Sequence, residues 1–496
     1  MQTGLKMLSP MVAILASLMA ILIPVLVVIW VRKWSLVKSS EDYLVAGRRA
    51  HWALVCASVT SLYIWGSSVM GAAEGAFTWG LAGIWIYPMY AVGLWVFGLW
   101  AAKLREVFPH ALSYTEYFHH RFDSKTHILV LLFALATTFS GAWIQGLACG
   151  HVLVGLTGGA VPYYVGVLFL GIAVFLYTVV AGLWGSLIAT WIFTLIAMPI
   201  CAIVGIATWI ALGGPGPIVT QAADLVQKGV LPASIFSIFH GKALVQYLIP
   251  VLAWALFSLP MQQDYWQTAF AVRNPKDVGK AFRHSGNWWW FMPFISTTLG
   301  FAALVMVKTG KMPAVSGSEA YAALVGQVLP AGFGVLFIWL IFAACVGTVG
   351  GGVVAIANMI GNDIYRTYFN PKATDADVTK VARIVVAIAT ICVIIVSLTP
   401  LSILMVLLFM PMYTAPFVWG FFYSQSKKWV SATPFFVGGI AGFLVGTYMF
   451  LGMGMWGWAM IAAFVVGGLI TVIGSAIFPA NFDFAVLKTK GAGSKG

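Results

Sequence analysis

Two residues stand where an ionisable side chain is costly. Glu74 is the one acid well inside a long apolar segment, and His151 is the only histidine inside one. Each lies about five residues from the outer end of its segment, so the helical rise places them at similar depth. A carboxyl and an imidazole at one depth of a membrane could bind and release a proton as the protein changes state. A buried structural pair, or two groups facing separate water-filled vestibules, is the plainer alternative. A second group of residues is uncharged. Ser61-Leu-Tyr-Ile-Trp65-Gly66-Ser67-Ser68 puts a glycine and several hydroxyls mid-segment, and Phe257-Ser258-Leu259-Pro260 runs into Gln262-Gln263-Asp264 in another. Proline removes a backbone donor and breaks a helix, and backbone left unpaired at that depth must line a cavity or be buried in protein.

The two breaks predict a solute site between them. Candidate lining residues are Trp65, Ser67 and Ser68 at the first break, Trp143 and Gln145 from an intervening segment, and Phe257, Ser258 and Gln262 at the second. Hydroxyls and amides orient a ligand while aromatic rings supply walls; helix packing is the alternative for Trp143 and Phe257. Asp264 reads as interfacial, with a gating role as its alternative. Trp288-Trp289-Trp290 reads as an interfacial belt. No Lys or Arg inside a segment is available to hold an anion. That favours a neutral, zwitterionic or cationic solute such as urea, an amide, an amino acid or a polyamine.

The elements that must position these residues follow from composition. The chain is 61% hydrophobic and 8% charged, against about 25% charged in a soluble domain. Thirteen apolar segments are legible: 9–31, 52–80, 82–102, 128–156, 160–181, 183–212, 242–268, 286–307, 332–360, 381–399, 401–424, 432–451 and 455–478. Lys and Arg lie between them or at their ends: 22 of the 27 on one set of alternate connections, including Arg48, Arg49, Arg105, Arg273 and Lys428, and the remaining five (Lys6, Lys228, Lys242, Lys308, Lys311) on the other. Positive loops stay cytoplasmic. The chain is therefore expected in the inner or plasma membrane as a multi-pass protein, N-terminus outside and C-terminus inside. The net charge of +13 is accounted for by cytoplasmic loops facing anionic lipid, not by nucleic acid. The first segment is too long, and lacks the charged start, for a cleaved signal peptide. Cys56, Cys149, Cys201, Cys345 and Cys392 form no CxxC pair and read as small buried apolar residues.

The breaks lie five segments apart, each in the first helix of a possible five-plus-five repeat. Five being odd, the halves would be inverted, and interrupted helices in matching positions of inverted repeats point to a transporter site. The expected division is 1–51, an N-terminal helix and cytoplasmic loop; 52–212, the first repeat; 213–241, an extracellular loop; 242–424, the second repeat; and 425–496, two helices and a cytoplasmic tail. Residues 319–328 are expected as a short surface helix, and Lys488 to Gly496 as disordered.

Four segments in order resemble the sodium:solute symporter family. Glu41-Asp-Tyr-Leu-Val-Ala-Gly-Arg48 is similar to its "DYFLAGR" stretch, and Tyr177-Thr-Val-Val-Ala-Gly182-Leu183 to its "Y-T-x-x-G-G-L" turn. Gln267 with Arg273-Asn-Pro-Lys276 resembles the run after the sixth core helix, and Asp363-Ile-Tyr365-Arg366 the "D-I-Y" ending the eighth. Tyr265-Trp266-Gln267 is similar to the "YWQ" of the urea/polyamine branch. The resemblance covers residues from about 40 to 430. It implies an all-α membrane fold with a leucine-transporter-type core of ten helices, one helix before and two after. It also implies a sodium site built from the carbonyls of Ser61 and Ile64 and from the eighth helix. There Val346 and Gly347 stand where a Ser/Thr pair is usual, leaving the Thr348 hydroxyl and the carbonyls of Ala344 and Cys345; Thr190 stands where the fifth helix usually offers Asp. A site short of oxygen ligands argues against sodium, and makes a proton the alternative coupling ion. No other cofactor is implied.

The expected function is alternating-access transport of a small polar solute across the lipid bilayer, coupled to a cation; a sodium-independent exchanger or facilitator is the alternative. Oligomeric state is not legible. A membrane enzyme would need a tight cluster of His, Asp and Glu at a membrane face, and His119, His120, Asp123 and His127 lack such spacing. A nucleotide-driven pump would need a GxxxxGK[ST] loop, which this sequence lacks.

Overall fold

A computed structural model describes residues 7–33 and 40–490. Lys6, Lys38, Lys495 and the tail beyond Lys490 lie outside the described residues, as do the side chains of Tyr177 and residues 179–182. Among the described residues the secondary structure is helical, and only one isolated bridge, Ala50 to Val272, has strand character. In hydrocarbon every backbone polar group needs a partner within its own segment, so the apolar segments become helices. Among the described residues ten helices are long and apolar enough to cross a membrane, and Pro10–Leu22, Trp52–Tyr63 and Tyr163–Leu176 are shorter apolar ones.

The helices that matter here are α1 (Pro10–Lys33), α2 (Trp52–Tyr63), α3 (Ala72–Trp79), α4 (Ile86–Val107), α5 (Thr115–Arg121), α6 (Ser124–Thr157) and α7 (Tyr163–Ala211). After them come α8 (Gly241–Met261), α9 (Gln263–Ala271), α10 (Val278–Trp289), α11 (Phe291–Lys308) and α12 (Ala320–Val328). The last five are α13 (Ala331–Phe369), α14 (Asp375–Ser397), α15 (Ile403–Ser424), α16 (Ala432–Gly452) and α17 (Trp456–Ile477). Helices α13 and α15 form the enclosed centre, while α14, α16 and α17 present most of their surface outward.

Helix α7 is one element of 49 residues, Tyr163–Ala211, where two separate segments, 160–181 and 183–212, were expected. A straight helix of that length would measure about 74 Å. Yet both of its ends lie at one end of the molecule: Tyr163 packs on His151 at 5.0 Å, and Trp209 donates to Thr298, near the point where Gly300 abuts Ala73. Thr178 lies at the opposite end, where its carbonyl accepts from Tyr43. The chain therefore doubles back between Thr178 and Ser186, and α7 supplies two crossings.

Three further expectations change. Helix α12 is not a surface helix: Ala320 to Gly326 are all buried. A helix apolar all round belongs inside. Residues 485–489 are helical, so the start of the tail is ordered. Cys392 is exposed rather than buried.

The basic connections meet at one end. Arg105 donates to the carbonyls of Phe270 and Val272, Arg48 to Ala111, and Arg121 to Ser424 and Lys427. The other end holds Leu8, bonded through its N–H to the Leu156 carbonyl, together with the 213–241 and 308–331 connections.

Candidate functional site

The first break is built as its residues suggest. Helix α2 ends at Tyr63, Ile64 and Trp65 are non-helical, and a wide π turn, Ser67–Gly71, leads into α3. The orphaned backbone groups are met from nearby. Ser68 Oγ accepts from the Trp65 N–H and donates to the Tyr63 carbonyl. Gln145 Oε1 accepts from the Gly66 N–H at 2.6 Å while its Nε2 donates to Gly141. A Cβ at Gly66 would stand 2.2 Å from the Ala148 Cβ, so α6 passes too close for any other residue. Ser68 and Gln145 are thus occupied in closing the break, not free to meet a solute. The second break comes where Pro260 predicts it: Leu259–Met261 is a tight turn and Gln262 is extended before α9 begins.

Between the breaks six aromatic rings converge. Tyr63 lies 5.7 Å from Tyr90, 5.8 Å from Trp254, 5.7 Å from Tyr265 and 5.1 Å from Trp289. Trp65 meets Trp254 edge-on at 5.2 Å, and Tyr90 stacks on Trp254 at 4.4 Å. All six are buried. Within and beside this cage the Trp65 and Trp254 indole N–H groups, the Tyr90 and Tyr265 hydroxyls, Ser67 Oγ, Ser258 Oγ and Gln262 Nε2 have no hydrogen-bond partner. The Trp65 indole does approach the Tyr265 hydroxyl, but without the geometry of a bond. Buried polar atoms left unpaired cost roughly 1–3 kcal/mol each, so such a concentration needs an explanation. These atoms can all donate, and the set carries no charge.

Several expected site residues fall elsewhere. Phe257 faces α17, stacked on Phe464 at 4.5 Å and 6°, and is a packing residue. Trp143 is half-buried, its indole N–H also unpartnered, and makes no ring contact with the cage among the described residues. Trp289 is not part of a belt: it is buried, and its indole donates to the Tyr63 carbonyl at 2.7 Å, whereas Trp288 and Trp290 are exposed. Asp264 is not interfacial; it is buried in the first turn of α9 and accepts from the Tyr265 N–H. Tyr63, Tyr90, Trp254, Tyr265 and Trp289 were not anticipated as a group.

Some of the residues expected at an ion site lie near one another. A Cβ on Gly347 would stand 3.0 Å from the Thr190 methyl and 3.6 Å from Ser61 Oγ, so these three positions do meet. The Thr190 hydroxyl, however, turns back to the carbonyls of Ser186 and Leu187, which leaves the methyl facing Gly347. Thr348 Oγ1 lies 3.0 Å from the Ala344 carbonyl and 3.3 Å from that of Leu62. A hydroxyl thus links α13 directly to the end of α2. The Ser61 carbonyl accepts from the Ile64 N–H, and the Cys345 thiol packs against Gly66 and Cys149.

Glu74 and His151 are near each other but do not pair. Glu74 accepts from Ser318 Oγ at 2.8 Å, Ser402 Oγ at 2.7 Å and the Leu404 N–H at 3.1 Å. His151 pairs instead with Glu319, Nδ1 to Oε1 3.1 Å, and its Nε2 lies 3.0 Å from the Leu401 carbonyl. Ser318 and Glu319 lead into α12, so α3, α6 and the start of α15 all hold one lid. Burial alone would raise the Glu319 pKa, but the hydrogen bond and charge of His151 hold it below the usual carboxylate range. At the basic end Tyr114 donates to the Met261 carbonyl, Gln263 accepts from the Tyr114 N–H, and Asp363 accepts from Ser113 and Thr115. The histidines of α5 show no metal constellation, and no group of three or more potential metal ligands occurs among the described residues.

Comparison with known proteins places this geometry. The profile of the sodium:solute symporter family matches residues 43–442. The chain is 23% identical over 375 residues to a urea-proton symporter of Oryza sativa subsp. japonica, covering 70% of this chain and 51% of that protein. It is 24% identical over 357 residues to a urea active transporter of Saccharomyces cerevisiae, covering 68% and 48%. To the osmoregulated proline transporter of Bacillus subtilis it is 24% identical over 375 residues, 73% of each. The chain spans about half the length of the curated urea transporters it matches. Among solved structures, a Na+-coupled sialic acid symporter in a substrate-bound outward-open state aligns with a TM-score of 0.77 at 16% identity, covering 95% of this chain and 99% of that one. Mhp1, a nucleobase-cation-symport-1 family transporter in a closed conformation, aligns at 0.54 and 14% identity, covering 91% and 98%. At such identities the likeness is one of fold.

Proposed function

The chain belongs to the sodium:solute symporter family, and from that premise we propose that it is a secondary transporter that couples uptake of a small, neutral, planar polar solute of the urea or amide type to a proton. One observation carries the reading: uncharged, unpartnered donors gathered in an aromatic cage between the two helix breaks. Rings sandwich a flat solute, and hydroxyl, indole and amide N–H groups meet its carbonyl oxygen. A zwitterion such as proline would need its carboxylate held. The amides best placed for that, at Trp65 and Gly66, are already bonded to Ser68 and Gln145.

The proposal of a proton is supported by how few side-chain oxygens the expected ion site offers. The Thr190 methyl rather than its hydroxyl faces Gly347, and Val346 and Gly347 offer no side-chain oxygen, which leaves the Thr348 hydroxyl as the one side-chain ligand expected from α13. Among the relatives, the rice protein is named a urea-proton symporter. Glu74 is the proton-binding candidate, with His151 beside it and Glu319 as the partner of His151. The Glu74 carboxyl bonds Ser318 on the lid and Ser402 and Leu404 at the start of α15, so gain or loss of a proton there acts directly on the lid contacts. On this reading the positive-inside pattern orients the basic end toward the cytoplasm.

The test is uptake of radiolabelled urea, formamide and proline into proteoliposomes. An inward proton gradient in sodium-free buffer is expected to drive urea accumulation that a protonophore abolishes, and Glu74→Gln should remove the accumulation while leaving solute exchange. Accumulation that requires sodium and survives the protonophore would overturn proton coupling; proline accumulation without urea uptake would overturn the solute class.

A further inference from the structure

Two adjoining crevices open sideways at the basic end, between α2, the second crossing of α7, and the α10–α11 junction. One, of about 280 Å³, is lined by Trp52, Thr60, Thr194, Met198, His284 and Trp288 among others. The next, of about 650 Å³, shares Met198, His284 and Trp288 and continues past Pro199 and Trp290. They face outward from the bundle: Trp191 and Leu195 beside them, and Trp288 and Trp290 on their rim, are exposed. The hydroxyls inside are already bonded, Thr60 to the Cys56 carbonyl and to Ser285, Thr194 to the Ala57 and Thr190 carbonyls. A water-soluble polar ligand would find little to bind, whereas an alkyl chain would find walls of indole, Met and Pro.

The mouth has the opposite character. Lys280 Nζ stands 3.9 Å over the Trp52 ring, Arg283 and Lys276 are exposed, and His284 lies 5.8 Å from Trp52. Neither Lys280 nor Arg283 is in an ion pair among the described residues. The acid nearest in sequence is Asp277, in the turn that precedes α10. Positive charge on an aromatic rim above an apolar slot matches one kind of occupant. We propose that this groove is a binding site for an anionic phospholipid, its phosphate held by Lys280 and Arg283 and one acyl chain lying in the crevice against α2. The proposal needs only that the chain spans a membrane; it does not depend on which solute or ion is moved. Its consequence is mechanical. The wall nearest the first break is joined to α10 by the Thr60–Ser285 bond, so a chain in the slot restrains the half-helix that leads to the cage.

Native mass spectrometry of the full chain, delipidated in detergent and titrated with phosphatidylglycerol or phosphatidylcholine of matched acyl chains, tests this. The wild type is expected to retain phosphatidylglycerol in preference. K280Q/R283Q should weaken phosphatidylglycerol binding roughly 10- to 30-fold, at about 1 kcal/mol per basic residue, and weaken phosphatidylcholine, whose phosphate is offset by its own ammonium, by less. Ala53→Trp, which fills the smaller crevice from an exposed position, should reduce binding of both. Equal retention of the two lipids by the wild type, or a preference that survives in the double variant, would overturn the proposal. Melting temperatures of the lipid-free variants, expected to match the wild type, separate loss of the site from loss of fold.

Discussion

Tyr90 stacks on Trp254 and Trp289 with its rings 4.4 and 5.4 Å away, yet its hydroxyl bonds to nothing. Tyr90→Phe therefore keeps the packing and removes only the orphaned oxygen, so the fold should be as stable as before or slightly more so. If that hydroxyl meets the solute, the KM for urea should rise roughly 3- to 10-fold, the range of one ordinary hydrogen bond, with little change in the maximal rate. An unchanged KM would move the solute away from Tyr90. The breaks were legible at this scale because Gly66 and Pro260 announce them in the backbone. The cage was not. Tyr90, Trp254, Tyr265 and Trp289 come from four separate helices, and each alone reads as packing or belt. One signal was available: Trp254 and Ser258, four residues apart, share a helical face that leads to Gln262, while Phe257 points away toward α17. Glu74 and His151 were rightly singled out as buried ionisable groups, but their pairing could not be read, because Glu319 reaches His151 from a loop whose path no local pattern records.

That loop and α12 act as one element. Glu74 holds Ser318, His151 holds Glu319, and the N-terminus of α15 joins both through Ser402, Leu404 and Leu401. Sequence reading took 319–328 for a surface helix from its loop context, although AYAALVGQV has no polar face to offer water and so belongs inside. The pinning is pH-dependent with a definite sign. The folded-state pKa of Glu319 is lowered, so the pair contributes stability at pH above the ordinary carboxylate range, and that contribution is lost as pH falls through the lowered value. Hydrogen–deuterium exchange across Gly317–Val328, corrected for intrinsic rates, is expected to be slow at neutral pH, faster below the carboxylate range, and fast at neutral pH in Glu319→Gln. Equal protection in the variant and the wild type would mean that the apolar contacts of α12 hold the lid without the ion pair.

Across the whole molecule, the partition of Lys and Arg among alternate connections finds a geometric counterpart. The connections carrying 22 of the 27 are not merely alternate in sequence. They touch: Ala50 pairs with Val272, Arg105 reaches Phe270, and Arg121 reaches Lys427 and lies over Phe482. Leu8 meets Leu156 at the far end, where Lys311 bonds Gln221. One segment more or fewer between two of these contacts would send part of the basic set to the other end. Charge bias then orients the bundle, since basic loops resist translocation. Single cysteines test the sidedness in a Cys392→Ser background, Cys392 being the exposed native thiol. Gln227→Cys and Ser426→Cys both lie at exposed positions, one at each end. A membrane-impermeant maleimide is expected to label the first in intact cells and the second only after permeabilisation. The reverse pattern would put the basic end outside, and with it the lid, Glu74 and His151 on the cytoplasmic side, where the same pair of ionisable groups would release protons rather than capture them.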